Sequence, residues 1–120
     1  MGRNEYQKII ASVLGTRPIF FDRNLAKVLG SAKAGLFLSQ LLFWWKKGRN
    51  PNWVYKTIKE IEDETALSRQ EQDTAIKICK GFGALEVRLM GIPAKRHFRL
   101  NINKIVKLLE ANLPKTSKQD

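Results

Sequence analysis

TIKEIEDETALSRQEQDTAIKICKGFG, residues 57–83, decides the fold. It contains one helix-start signal twice: Thr57 is followed three residues later by Glu60, and Ser68 by Glu71. In each pair the hydroxyl accepts from a backbone N–H of the first turn while the carboxylate reaches back to the N–H of the cap residue, so donors that a helix start leaves orphaned find partners. The spacing therefore predicts two helices, one from 57 to about 66 and one from 69 to about 82, separated by little more than Ala66 and Leu67. Ile58 and Ile61, with Thr65 below them, give the first an inward side. Ala75, Ile76, Cys79 and Phe82 give the second a core stripe. Gly83 suits the C-terminal stop, where a positive φ is needed. Leu67 is expected to plug the corner. Ala66 stands where such turns usually carry glycine, at a cost of about 1 kcal/mol if it turns left-handed.

Downstream, 85–90 reads as a strand with Val87 and Leu89 alternating with Glu86 and Arg88. Gly91, Ile92, Pro93 and Ala94 form a turn, and 95–102 is the return strand. Phe98, Leu100 and Ile102 share one face of it, Arg96 lies with them or at the tip, and His97, Arg99 and Asn101 face away. Upstream, 48–52 is a loop and 53–55 a short strand. Ser31 caps a helix running to 47 that is apolar nearly all round, so it is expected at the centre of the core. Its surplus aromatic surface leaves room for a dimer or a docking partner. Asp22 caps a short helix that Gly30 stops, 6–14 forms another that 15–18 breaks, and 19–21 is extended. A last helix covers 103–112. The order of helix, short strand, helix, tight turn, helix and hairpin is that of a winged helix-turn-helix with extra N- and C-terminal helices: mainly α with a small β-hairpin. One domain is expected over 1–113, with a disordered polar tail at 114–120.

The bulk numbers indicate the kind of partner. The 120 residues carry 22 Lys and Arg against 11 Asp and Glu, a formal charge of +11. Such an excess on a small domain implies a polyanion. Hydrophobic residues at 43% and charged residues at 28% are ordinary for a globular chain. The lone cysteine, Cys79, excludes an internal disulfide and a thiolate zinc site, and its apolar neighbours mark it as a core residue. His97 is the lone histidine and is read as a surface residue. Arg3, Asn4, Glu5 and Gln7 interrupt any apolar leader, and the run 34–45 is too short to span a bilayer, so a cytoplasmic protein without a membrane partner is the default.

A family resemblance rests on three stretches: Leu14-Gly15-Thr16-Arg17-Pro18 through Leu36-Phe37-Leu38-Ser39-Gln40-Leu41-Leu42-Phe43-Trp44, then 53–57 with Leu67-Ser68-Arg69-Gln70-Glu71-Gln72, then Gly91-Ile92-Pro93-Ala94-Lys95. Together they resemble the small winged-helix domains of phage and mobile-element replication proteins, near the replisome organisers and primosomal helicase loaders. The resemblance covers about 14–105. It implies a DNA-binding accessory role in replication, on double- or single-stranded DNA, beside a helicase, primase or polymerase.

In such a fold the first residues of the second capped helix enter the major groove. Arg69 is expected to meet guanine or phosphate, Gln70 to read adenine, and Thr74 and Lys77 to hold the backbone. Arg88, Lys95, Arg96 and Arg99 on the hairpin supply further nucleic-acid contacts, Lys95 and Arg96 foremost. Glu71 and Asp73 on the same helix oppose phosphate, which speaks against tight sequence-specific duplex binding. Glu60, Glu62, Asp63 and Glu64 form an acidic cluster read as an exposed helix face, and Lys46, Lys47 and Arg49 a basic patch outside the site. No glycine-rich phosphate loop, Ser-His-Asp set or zinc motif is visible, so neither catalysis nor a metal or other cofactor is expected. Two other classes stay open: a transcriptional regulator binding operator DNA as a homodimer, and a protein-interaction module docking a replication enzyme through the aromatic helix.

Overall fold

The computed structural model describes residues 2–14, 18–47 and 53–112. Over them the chain is mainly helical, with a small antiparallel sheet. In order come α1 (Arg3–Val13), α2 (Arg23–Leu29), α3 (Ala32–Lys47), β1 (Val54–Tyr55), α4 (Ile58–Thr65), α5 (Arg69–Gly81), β2 (Leu85–Met90), β3 (Lys95–Leu100) and α6 (Ile102–Ala111).

Both capping boxes form. Glu60 N donates to Thr57 Oγ1 and Thr57 N to Glu60 Oε1, each at 3.0 Å. Glu71 N donates to Ser68 Oγ at 3.2 Å and Ser68 N to Glu71 Oε1 at 2.9 Å. Between the two helices Ala66 takes φ 65°, the left-handed conformation expected of it. Leu67 is 5% exposed and fills the corner. The turn has a further tie. Gln72 is fully buried, and its Nε2 donates to Ile58 O at 3.0 Å and Leu67 O at 2.9 Å, fixing α5 to the start of α4 and to the corner.

The centre of the core is α3, as its sequence implied: Phe37, Leu38 and Leu41 are buried against Leu25 and Leu29 of α2, Ile61 of α4, Cys79 of α5 and Phe98 of β3. Phe37 and Phe98 meet edge to face with ring centroids 5.6 Å apart. Burial pushes the Cys79 thiol up to about 12, so it stays protonated inside. Gly35 is where α3 crosses α2. A Cβ there would lie 2.5 Å from Ala26 Cα, a backbone atom that moves only with its helix. Gly35→Ala should therefore cost about 2 kcal/mol, despite alanine's better helix propensity, because overpacking prevails. A urea titration checks this, and an unchanged midpoint would remove the close crossing.

The sheet has the order β1-β3-β2, so the hairpin carries a third strand along β3. Val54 pairs with Phe98 and Tyr55 with His97 on one side, while the β2 register runs from Leu85 opposite Leu100 to Met90 opposite Lys95.

Some expectations need correction. Ile102 was assigned to the return strand but opens α6, because Asn101 accepts from Lys104 N at 3.1 Å and caps the helix there. Phe82 was placed in the core stripe but is 37% exposed, since α5 stops at Gly81. Residues 19–21 belong to neither helix nor strand, and Phe20 and Phe21 are exposed. The first helix forms but buries none of its residues. Residues 15–17 of the expected break, the loop 48–52 with Arg49 of the basic patch, and the tail 114–120 lie outside the described residues.

Candidate nucleic-acid interface

At 3.6 residues per turn, the buried residues of α5, Gln72, Ala75, Ile76 and Cys79, occupy one side of the helix. Arg69, Gln70, Asp73, Thr74 and Lys77 fall on the other side, within an arc of about 140°. All five are exposed. The structure thus brings together the four α5 residues singled out from sequence. Lys80 shares their arc and was not singled out.

The two carboxylates on this helix are each met by a cation. Glu71 Oε2 lies 2.6 Å from Lys33 Nζ. That ammonium, and then the backbone and hydroxyl of Ser68, hold the Glu71 carboxyl down to about 2. Asp73 Oδ1 lies 3.0 Å from Arg96 Nη1, and Arg96 Nη2 donates to Gln72 Oε1 at 3.1 Å. The negative charge that argued against duplex binding is therefore offset locally. Arg96, foremost among the expected contacts with Lys95, is instead a strut from β3 to α5, with its side chain 17% exposed.

Strand alternation places the hairpin cations. Arg96 and Phe98 point inward, to α5 and to the core. Arg88, Lys95 and Arg99 have the opposite parity, so they stand on the outer face of the sheet, away from α5. All three are exposed. The eight residues taken as one site from sequence thus divide into an α5 arc, an outer sheet face and the Arg96 strut between them.

No family model, characterised protein or solved structure matches the chain.

The acidic cluster is not uniformly a solvated face. Glu64 Oε1 accepts from Gln40 Nε2 at 2.7 Å and Trp44 Nε1 at 2.8 Å, and Oε2 accepts from Lys56 Nζ at 2.6 Å. Lys56 is itself buried, its ammonium 3.6 Å from the centre of the Trp44 ring. Burial alone would raise the Glu64 carboxyl; the hydrogen bonds from Lys56, Gln40 and Trp44 and the Lys56 charge outweigh it and leave it below the usual value of 4.5. The signal was available: Glu64 lies three residues after Ile61, on the inward side of α4. Among the described residues no group of three or more His, Cys, Asp or Glu side chains is placed to hold a metal ion, and no helix is long and apolar enough to cross a membrane.

Proposed function

We propose that this protein is a DNA-binding accessory factor with a winged helix-turn-helix fold and no catalysis of its own. On this reading α5 enters the major groove of duplex DNA through its outward residues, and the hairpin cations on the outer sheet face are not part of that contact. The observation that carries it is the α5 arc: Arg69, Gln70, Thr74 and Lys77 outward on a helix whose N-terminus is doubly capped and whose carboxylates are ion-paired. The formal charge of +11 supports a polyanionic partner. The replication setting, beside a helicase, primase or polymerase of a phage or mobile element, comes from the resemblance of the 36–44 helix and the 91–95 turn.

Binding to random duplex over a salt series tests the reading. Arg69→Ala and Lys77→Ala should each flatten the slope of log K against log salt by about 0.9. Arg96→Ala should leave that slope nearly unchanged, because its guanidinium is turned to Asp73. Absence of duplex binding at low salt, or equal slope changes at all three positions, would remove α5 as the contact.

A second reading, an operator-binding regulator working as a symmetric dimer, is favoured by α1. Tyr6, Ile9, Ile10, Val13 and Leu14 make an apolar stripe there that is 47–75% exposed. A dimeric mass in solution together with protection of a palindromic site would select it over the first.

A further inference from the structure

The outer face of the sheet has a chemistry that duplex contact by α5 does not use. Tyr55, His97 and Arg88 form one row across it, since His97 pairs with Tyr55 of β1 and with Arg88 of β2. The Tyr55 and His97 rings are stacked, with centroids 4.9 Å apart and planes 24° from parallel. Tyr55 is 39% exposed. Trp53, two residues before Tyr55, has the Arg88 guanidinium 5.4 Å from its ring centre, and Lys95 Nζ is 5.4 Å from that of Tyr55. Arg99 and Glu86 complete the face and offset each other at 4.0 Å.

Beside the stacked pair lies an open depression of about 480 Å³. Its walls are Tyr55, His97 and Lys95 with Met90, Ile92 and Pro93 of the turn. Ile92 is fully exposed there. An aromatic stack next to a hollow that Lys95 lines, with Arg88 beside His97 in the same row, has the parts that hold an unpaired strand: π-faces for bases and cations for the phosphates between them. A duplex hides its base faces in its own stack and could use only the cations of this surface.

We propose that the outer sheet face binds single-stranded DNA, with a base continuing the Tyr55–His97 stack into the depression and Lys95 and Arg88 holding the adjoining phosphates. The surface is distinct from the α5 arc, so the protein can hold duplex and single strand at different places.

The test is anisotropy of labelled oligo(dT) and of a labelled duplex with the full chain. Tyr55→Ala should weaken oligo(dT) binding about tenfold or more while Tyr55→Phe retains it, and Lys95→Ala should flatten the single-strand salt slope by about 0.7. Arg69→Ala with Lys77→Ala should weaken the duplex and leave oligo(dT) nearly unchanged. Oligo(dT) binding indifferent to Tyr55→Ala, or lost with the α5 variants, overturns the proposal. So does oligo(rU) binding tenfold tighter than oligo(dT). Should Tyr55→Ala fail to fold, photocrosslinking of bromodeoxyuridine oligomers to the native chain decides: adducts at Tyr55 or His97 support the proposal, and adducts confined to α5 end it. Tyr55-sensitive oligo(dT) binding without duplex binding would keep this inference and remove the α5 reading; the converse would do the reverse.

Discussion

Glu64→Ala should lower the free energy of unfolding by about 3 kcal/mol, a large fraction of a small domain's margin. Three donors converge on this carboxylate from α3 and from the residue after β1. Truncation strands the Lys56 ammonium, whose side chain is 10% exposed, and leaves the Trp44 and Gln40 N–H groups without their acceptor. Lys56→Met added to Glu64→Ala should recover part of the loss, because the stranded charge is then gone. Urea midpoints of the two variants and the native chain measure this; a cost below 1 kcal/mol, or no recovery, would show the network to be idle. The same carboxylate contributes to acid sensitivity. Glu64 and Glu71 both sit below 4.5 in the folded chain, Glu71 at about 2. A depressed folded value means stability fully present above 4.5 that declines as pH falls toward about 2, where the folded Glu71 carboxyl takes its proton. Glu64→Ala should shrink that decline.

The parts of the fold that were legible in sequence are those whose cause is local. A capping box needs residues three apart, and both formed; the left-handed Ala66, the Asp22 cap and the Gly83 stop are likewise decided within one turn of chain. The hairpin register followed from alternation about Gly91-Ile92-Pro93-Ala94. What escaped depends on pairing between distant segments. The inward face of β3 was one of two places open to Arg96, but its engagement needs Asp73 and Gln72, 23 and 24 residues away, to come beneath it. Tyr55 and His97 become one stack only because β1 joins β3, 42 residues later in the chain. Residue type alone could not show that the hairpin's cations and α5's cations would end on different surfaces; strand parity could have, once Arg96 was seen to share a face with Phe98. The apolar period of α1 predicted a helix correctly but says nothing of what covers it.

Reversing charge at Arg69 and Lys77 together to glutamate should reduce duplex affinity about a hundredfold at 0.1 M salt. Each phosphate contact enters log K with a coefficient near 0.9 against log salt, so at that concentration each contributes roughly eightfold; two lost contacts give about sixtyfold, and repulsion from the added carboxylates brings the loss to the stated factor. Stability should change little, because both side chains are exposed and neither helps build the turn, the caps or the Gln72 tie. That separation makes the variant informative: a chain that melts like the native protein yet has lost the duplex has lost a contact rather than a fold. Arg96→Ala provides the contrast. It removes no phosphate contact but releases Asp73 and unfastens β3 from Gln72, so it should weaken the duplex by less than about threefold while lowering stability by about 1 kcal/mol. Glutamates at 69 and 77 that leave duplex affinity within threefold of native would show that the exposed arc of α5 is a solvated face, and the polyanion the charge calls for would have to be sought on the outer sheet.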